Sequence, residues 1–387
     1  MNNVVSARRI QGIGEYYFSK KLQQIDAIRK QGMEVLNLGI GSPDLPPHPS
    51  VIAEFNSAIL ENGAHQYQSY KGLPELRSAI ANWYQRFFDC QFAPDSEVLP
   101  LIGSKEGITH ICMSLLDEGD SVLIPNPGYP AYETASKMAG ANIIHYDLKE
   151  ENQYQPDFDD LEEMDLASIK IMWVNYPHMP TGSSGSTELF DKLIRFTRKH
   201  NIVLINDNPY AFILTDRPMS ILSACSPDDH VLELNSLSKS HNMAGWRVGM
   251  LVGNQELIET VLTFKSQVDS GQFKPMLKAA IKALTLDESW FDALNEVYRS
   301  RKHMVNKILD ALNCSYHTKS SGMFVWGRIP DAEVDAEQFS DMLLERYKIF
   351  VPPGSIFGSN GKRYIRFSLC SPESVWNETL NRLNETR

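Results

Sequence analysis

Cysteine is scarce in this 387-residue chain: only Cys90, Cys112, Cys225, Cys314 and Cys370 occur. Their odd number and wide spacing exclude a disulfide framework and a Cys/His metal cluster, so they read as reduced core or surface thiols. An excess of positive charge is lacking too, with 37 Lys+Arg against 48 Asp+Glu and a net charge of -11. No basic face is left to release phosphate counterions, which argues against a nucleic-acid partner. Small anionic substrates are not excluded, because a site can be locally positive in an acidic protein. Long apolar runs are also missing. Nothing approaches the roughly 18 apolar residues of a membrane span, and Met1-Asn2-Asn3-Val4-Val5-Ser6-Ala7-Arg8-Arg9 lacks the apolar stretch of a secretory signal. A cytoplasmic protein without a membrane partner is expected. There are no repeats or low-complexity segments.

What is present is an ordinary globular composition, 42% hydrophobic and 22% charged, in a chain long enough for about two domains. Strand-like runs at Val98–Ile102, Ser121–Ile124, Asn142–Tyr146, Lys170–Val174, Ile202–Asn206, Val231–Leu234 and Val248–Val252 alternate with helical patterns such as Glu106–Leu116 and Thr187–His200. That alternation predicts an α/β unit with a mostly parallel seven-stranded sheet sandwiched by helices. After about residue 275 the texture changes to a long amphipathic helix, Glu288–Leu312, then short strands and a helix near Ala336–Tyr347, which predicts a smaller α+β domain. The expected division is 1–48 as an N-terminal arm and part of the small domain, 49–274 as the large domain, and 275–387 as the small C-terminal domain. The Gly39–Pro49 stretch, with two glycines and four prolines, is the clearest linker. Such turns usually only redirect a chain, but the glycines here also permit backbone to approach a ligand.

Most of the chemistry is concentrated in Ser236-Leu237-Ser238-Lys239-Ser240-His241-Asn242-Met243-Ala244-Gly245-Trp246-Arg247-Val248-Gly249, directly after the buried run Val231–Leu234. One lysine between hydroxyls, with an arginine downstream, suits a covalent aldehyde cofactor carrying a phosphate. Lys239 can form a Schiff base, while Ser236, Ser238 and Arg247 can hold a phosphate dianion by charge-assisted hydrogen bonds. A Ser-x-Ser-Lys tetrapeptide alone is usually solvated surface, but the extension through Gly245-Trp246-Arg247 makes the stretch specific.

The stretch resembles the lysine motif of the class I and II pyridoxal-phosphate (PLP) aminotransferases, whose fold is called fold type I. In open parallel sheets, ligands bind beyond the carboxyl ends of the strands, and three further motifs follow predicted strands. Gly103-Ser104-Lys105-Glu106-Gly107 opens a helix whose Ser104 and Lys105 amides can bind a phosphate. The plainer reading is an N-cap at Ser104, although Gly107 stands where a capping box wants a carboxylate. Pro125-Asn126-Pro127-Gly128-Tyr129-Pro130-Ala131-Tyr132 fixes an aromatic between prolines, and the resemblance makes Tyr129 the residue stacked on the cofactor ring. Asp207-Asn208-Pro209-Tyr210 supplies a carboxylate to keep the pyridine nitrogen protonated, with Tyr210 beside the cofactor's phenolic oxygen. An Asx-turn is the alternative for Asp207. Lys239, once displaced by an incoming amine, is the expected base that moves a proton from the substrate Cα.

The family's carboxylate-binding arginine falls on Arg366, in Arg363-Tyr364-Ile365-Arg366-Phe367-Ser368, where a planar guanidinium can hold an α-carboxylate bidentately. A structural salt bridge is the other reading. The resemblance also puts Tyr16 and Gly41 at the substrate. It further implies a homodimer with shared sites, in which Tyr67, from the segment Tyr67-Gln68-Ser69-Tyr70-Lys71-Gly72-Leu73-Pro74-Glu75-Leu76-Arg77, reaches the cofactor phosphate of the other subunit. One departure stands out. The family's Asn-Pro-Thr-Gly appears as Met179-Pro180-Thr181-Gly182, and a thioether cannot donate to the cofactor's phenolic oxygen. Either Asn175, His178 or Tyr210 compensates, or the aldimine pKa is raised and the reaction differs from simple transamination; the expectation is that Met179 retunes the cofactor without abolishing activity. His178 and His241 lie beside motifs, where a structural role is equally open for each.

The function implied is a PLP-dependent aminotransferase acting on an L-amino acid and a 2-oxo acid through pyridoxamine phosphate. The Tyr16-Tyr17-Phe18 arm and the Gly103-Ser104-Lys105 loop look most like the diaminopimelate aminotransferase branch. The alternatives are a PLP-dependent β-lyase with the same cofactor site and a PLP-binding regulatory module. The second normally carries a fused DNA-binding domain, for which the acidic chain leaves no room before its arm.

Overall fold

The computed structural model describes residues 6–15 and 17–385. Helix α1 (Tyr17–Lys30) and strand β1 (Leu36–Asn37) are followed by an irregular stretch and two helices, α2 (Pro49–Ala58) and α3 (Pro74–Phe88), each entered on a proline. Proline fits that position because its missing N–H would be unpaired in any case.

The large sheet is then laid down as β2 (Val98–Leu101), α4 (Ser104–Leu115), β3 (Ser121–Asn126), α5 (Pro130–Met138), β4 (Asn142–Asp147), α6 (Phe158–Glu162), β5 (Ile169–Val174), α7 (Thr187–Lys199), β6 (Val203–Asp207), β7 (Val231–Ser236), α8 (Leu237–Ser240) and β8 (Gly249–Gly253). Strand order is β2-β8-β7-β6-β5-β3-β4, and β8 alone runs antiparallel to its neighbours. All seven expected strands are present, their ends shifted by a residue or two. The inner strands β3, β7 and β8 are buried along their whole length and β5 and β6 nearly so, whereas the edge strand β4 is half exposed.

Alternate residues of each strand serve opposite faces. Ile171, Trp173, Ile205, Leu232 and Leu234 join one core with α4, α5 and the following helix α9 (Gln255–Lys265), while Met172, Val174, Leu204 and Val231 join the other. Helix α10 (Lys274–Leu284) packs on α2 and α3.

The remaining elements are α11 (Glu288–Ala311), β9 (Ser315–Tyr316), β10 (Phe324–Arg328), α12 (Ala336–Tyr347), β11 (Ile349–Phe350), β12 (Tyr364–Ser368) and α13 (Glu373–Glu385). Strands β12, β10 and β9 form an antiparallel sheet, and β1 pairs in parallel with β11, so the N-terminal arm packs with the C-terminal third. The 39–48 linker is pinned between the two regions. Arg301 of α11 holds Asp44 bidentately at 2.6 and 2.8 Å and also donates to the Leu369 carbonyl. Among the described residues, no helix is long and apolar enough to cross a membrane.

Candidate active site

A cavity of about 350 Å³ lies beyond the carboxyl ends of β5, β6 and β7, where the 39–48 linker and β10–β12 close over the large sheet. Its walls include Gly41, Ser104, Lys105, Tyr129, Asn175, Met179, Asp207, Tyr210, Ser236, Ser238, Lys239, Arg247 and Arg366. Residues separated by more than three hundred positions therefore meet at one point. A wider surface cleft, about 670 Å³, lies between the 151–159 segment and α7, but its lining charges largely offset one another, as in the Lys199–Glu162 pair at 2.7 Å.

One end of the cavity is built for an anion. Ser236 ends β7 and caps the one-turn helix α8 by accepting from the Ser238 N–H at 3.1 Å, which brings its hydroxyl to 2.8 Å from Ser238 Oγ. Helix α4 starts opposite. Its cap is Gly103 at φ +84°, not Ser104, and a Cβ at Gly103 would fall 2.2 Å from the Arg247 guanidinium. A Cβ at Gly249 would likewise sit 2.7 Å from the Ser104 nitrogen. Glycine at both places lets the arginine, the helix start and β8 crowd together. The plainer reading of Ser104 as the cap is therefore off by one residue: the carboxylate three positions after the true cap is Glu106, and it accepts from the Ile102 N–H at 2.8 Å.

Lys239, in the first turn of α8, donates to the Gly41 carbonyl. Burial lowers its ammonium from the usual lysine range, aided by Arg366 and Arg247 and opposed by Cys370 and Asp207. A Cβ at Gly41 would come within 2.3 Å of the Phe324 ring, so only glycine brings this carbonyl to the lysine.

Asp207 closes β6. Its Oδ2 accepts from Tyr132 Oη at 2.9 Å, while Oδ1 is buried with no hydrogen-bond partner among the described residues. Burial pushes this carboxyl up to about 7, with the Tyr132 hydrogen bond opposing and the Glu233 charge adding. An unsatisfied buried acceptor is costly, and a cationic N–H would relieve it. The residues present fit a ring bearing a protonated nitrogen and a phosphate: Asp207 could hold the nitrogen, Ser104, Ser236, Ser238 and Arg247 the phosphate, and Lys239 the aldehyde.

Arg366 of β12 is buried among aromatic rings, its guanidinium carbon 3.9 Å from the Phe324 centroid and 4.6 Å from that of Phe357. Nη2 donates to the Gly39 carbonyl at 2.7 Å, and Nη1 lies 3.2 Å from Met179 Sδ. The sulfur thus points at the arginine. Asn175 spends its side chain on the backbone, donating to the Asp207 carbonyl and accepting from the Met179 N–H at 2.7 Å. His178 lies outside the cavity against Thr181 Oγ1, and burial pushes its pKa down to about 3. His241 is equally buried, beside Ser240 Oγ and Phe291, with its pKa also pushed down to about 3. Of the three residues proposed to replace the missing asparagine, Asn175 and Tyr210 line the cavity and His178 does not.

Tyr67 is 90% exposed and outside the cavity of its own chain, and Tyr16 lies outside the described residues. Sequence reasoning missed Tyr132, Phe18, Ile40 and Phe324 in the cavity wall. Tyr132 had a signal, since it follows Tyr129 by three positions at the mouth of a helix. Phe324 had none. Glu106, His110 and Asp269 also converge within 4.8 Å, where the Lys265 ammonium, 2.7 Å from Asp269 and 3.1 Å from the Tyr70 carbonyl, already supplies positive charge.

The model of the family described as Aminotransferase class I and II matches residues 33–383. The LL-diaminopimelate aminotransferase of Dehalococcoides mccartyi (strain ATCC BAA-2266 / KCTC 15142 / 195) is 37% identical over 369 residues, covering 95% of each chain. That of Aquifex aeolicus is 37% identical over 382 residues, covering 98% of each. Among solved structures, substrate-bound BacF from Bacillus subtilis superposes with a TM-score of 0.94 at 35% identity, covering 99% of this chain and 98% of the other.

Proposed function

The chain belongs to the class I and II aminotransferases and is a pyridoxal-phosphate-dependent aminotransferase of fold type I, and from that premise we propose which residues carry the reaction and on what substrate. When bound, the cofactor supplies an aldehyde for covalent capture of an amine and a ring that withdraws charge from the substrate Cα. Asp207 Oδ1 would accept a hydrogen bond from the ring N–H and so keep the proton on that nitrogen. Ser236, Ser238, Arg247 and the Ser104 and Lys105 amides would bind the phosphate, Tyr129 would lie against the ring, and Tyr210 and Asn175 would border its phenolic oxygen. Lys239 Nζ would hold the aldehyde at rest. Once an amine takes its place, the same nitrogen, already lowered by burial, carries the proton away from Cα. Arg366 orients the substrate by its α-carboxylate, with Gly41 beside it.

The observation that carries this reading is the meeting in one cavity of Lys239, of an aspartate with an unpartnered buried oxygen, and of a buried arginine. The relatives bear the name LL-diaminopimelate aminotransferase, which makes LL-diaminopimelate the first donor to test.

A homodimer is part of the proposal. Leu60, Tyr67, Tyr70, Val268 and Phe273 are exposed. Their segments adjoin, with Phe273 against His65, Gly271 against the Gln68 and Ser69 carbonyls, and Gln272 holding the Arg247 carbonyl. A second copy covering this apolar margin would bring Tyr67 of the partner subunit to the phosphate end. The test is addition of single L-amino acids to the PLP-loaded protein without any acceptor. One equivalent of 2-oxo acid per subunit from LL-diaminopimelate supports the reading, no response to it moves the donor elsewhere in the panel, and continuous pyruvate and ammonia would instead mark elimination.

A further inference from the structure

Glu233 is a second buried carboxylate, in the middle of β7 and fully shielded from solvent. Oε1 accepts from Tyr84 Oη at 3.0 Å and Ser220 Oγ at 2.9 Å, and Oε2 accepts from Asn206 Nδ2 at 2.9 Å and the Ile221 N–H at 3.2 Å. Among the described residues no lysine, arginine or histidine lies within ion-pair distance of it. A carboxylate buried between Leu232 and Leu234 without a cation is expensive, and burial raises its pKa above the usual carboxylate range while the surrounding donors favour the ionised form. Packing alone would be served by leucine, so the charge calls for a use.

The use lies one strand away. Asn206 faces Glu233 across the β6–β7 ladder, and Asp207 faces Leu234. Because side chains alternate across a sheet, Asn206 and Asn208 share the Glu233 face while Asp207 points to the opposite face, toward Tyr132 and the cavity. Glu233 binds Asn206, the residue immediately before Asp207, and Asn208 immediately after it also faces the carboxylate. Asn208 is itself anchored to the Met219 carbonyl at 2.8 Å and through its N–H to the Leu234 carbonyl at 2.8 Å. While Asn206 Nδ2 donates to Glu233, the Oδ1 of the same amide accepts from the Tyr176 N–H at 3.1 Å, fixing the loop that carries Asn175 and Met179. One carboxylate thus restrains the chain around Asp207 and, through Asn206, the neighbouring cavity wall.

We propose that Glu233 is a positioning residue for the reaction: it clamps the 206–208 segment from behind the sheet and so fixes where Asp207 presents its carboxylate. From there its charge also acts on Asp207, in the same direction as burial and against the Tyr132 hydrogen bond. The inference rests on Asp207 being the carboxylate that holds the proton of the cofactor ring. The groups facing the pair are Tyr84 from α3, Cys90 beyond it, Cys225 beyond residues 221–224, Tyr132 from α5 and Lys239 from α8. Lys239 is the one cation among them, and it acts on Asp207 from the cavity side, opposite to Glu233.

The test is carboxyl-carbon NMR of the full chain labelled at aspartate, with the Asp207 signal identified by its loss in Asp207→Asn. In Glu233→Gln, which keeps the shape and removes the charge, the Asp207 titration midpoint should fall by about one pH unit. The PLP-loaded variant should lose about tenfold in kcat with the donor KM unchanged. If Glu233→Gln does not fold, Tyr84→Phe removes one of the four donors, weakens the ionised form of Glu233 and should move the midpoint in the same direction by less. An unmoved Asp207 midpoint in a folded variant overturns the proposal. It leaves the aminotransferase reading untouched, because the titration needs neither substrate nor turnover.

Discussion

Glu233 and Asp207 are both buried carboxylates on adjoining strands, yet the two faces of the sheet treat them differently. Behind the sheet, Glu233 receives four hydrogen bonds, two on each oxygen. On the cavity side, Asp207 receives one from Tyr132 and keeps an oxygen with no partner among the described residues. A fold that satisfies one carboxylate so fully and leaves its neighbour wanting has separated two tasks. The saturated side fixes geometry, and the unsaturated side waits for a ligand with a proton to share.

The sharpest way to separate the faces is to remove the nucleophile from the cavity side. Lys239→Ala should lower kcat by at least about 10⁴-fold while leaving thermal unfolding and the oligomer unchanged; multiple turnovers by this variant would take Lys239 out of the mechanism. Next in size, Arg366→Ala removes a bidentate partner for the α-carboxylate and should cost about 2–4 kcal/mol in kcat/KM. Equal steady-state constants for variant and wild type would make Arg366 structural.

The strain on Asp207 gives the third prediction. Its carboxyl is raised from 3.8 to about 7, so the folded chain without cofactor binds a proton more tightly than the unfolded chain does. Stability contributed by that proton is present at low pH and is lost as pH rises between those two values. Asp207→Asn has no proton to lose. At pH 8 it should make the cofactor-free protein more stable than wild type by on the order of 4 kcal/mol, and urea unfolding across pH 4–8 should show the wild-type slope vanish. The smallest effect belongs to Met179→Asn, which replaces a sulfur beside Arg366 with an amide able to donate. A change of kcat below about tenfold is expected, with a displaced pH midpoint for the visible absorbance of bound cofactor. An unmoved midpoint would end the idea that Met179 tunes it.

Much of this was legible because parallel strands buried on both faces are continuous apolar runs, and their carboxyl ends announce where loops converge. Lys239, Asp207 and Arg366 could be placed from residue chemistry and motif resemblance, and the structure brings all three to one cavity. Other features were hidden for physical reasons. Glu233 sits inside an apolar run, where a single charge reads as an interruption and its four donors come from distant segments. The cap of α4 moved to Gly103 because the approach of Arg247, more than a hundred residues away, sets that backbone. Met179 was visible as a departure, but its contact with Arg366 depends on how β12 lies across the large sheet.

The measurement closest to the central claim is the affinity of the cofactor-free protein for pyridoxal 5′-phosphate against its 1-deaza analogue, in which carbon replaces the ring nitrogen, for wild type and Asp207→Asn. If the unpartnered Asp207 oxygen awaits a ring N–H, wild type should prefer the natural cofactor by more than about tenfold, the worth of one charge-assisted hydrogen bond, and Asp207→Asn should lose that preference. Equal affinity of wild type for both compounds would contradict the account.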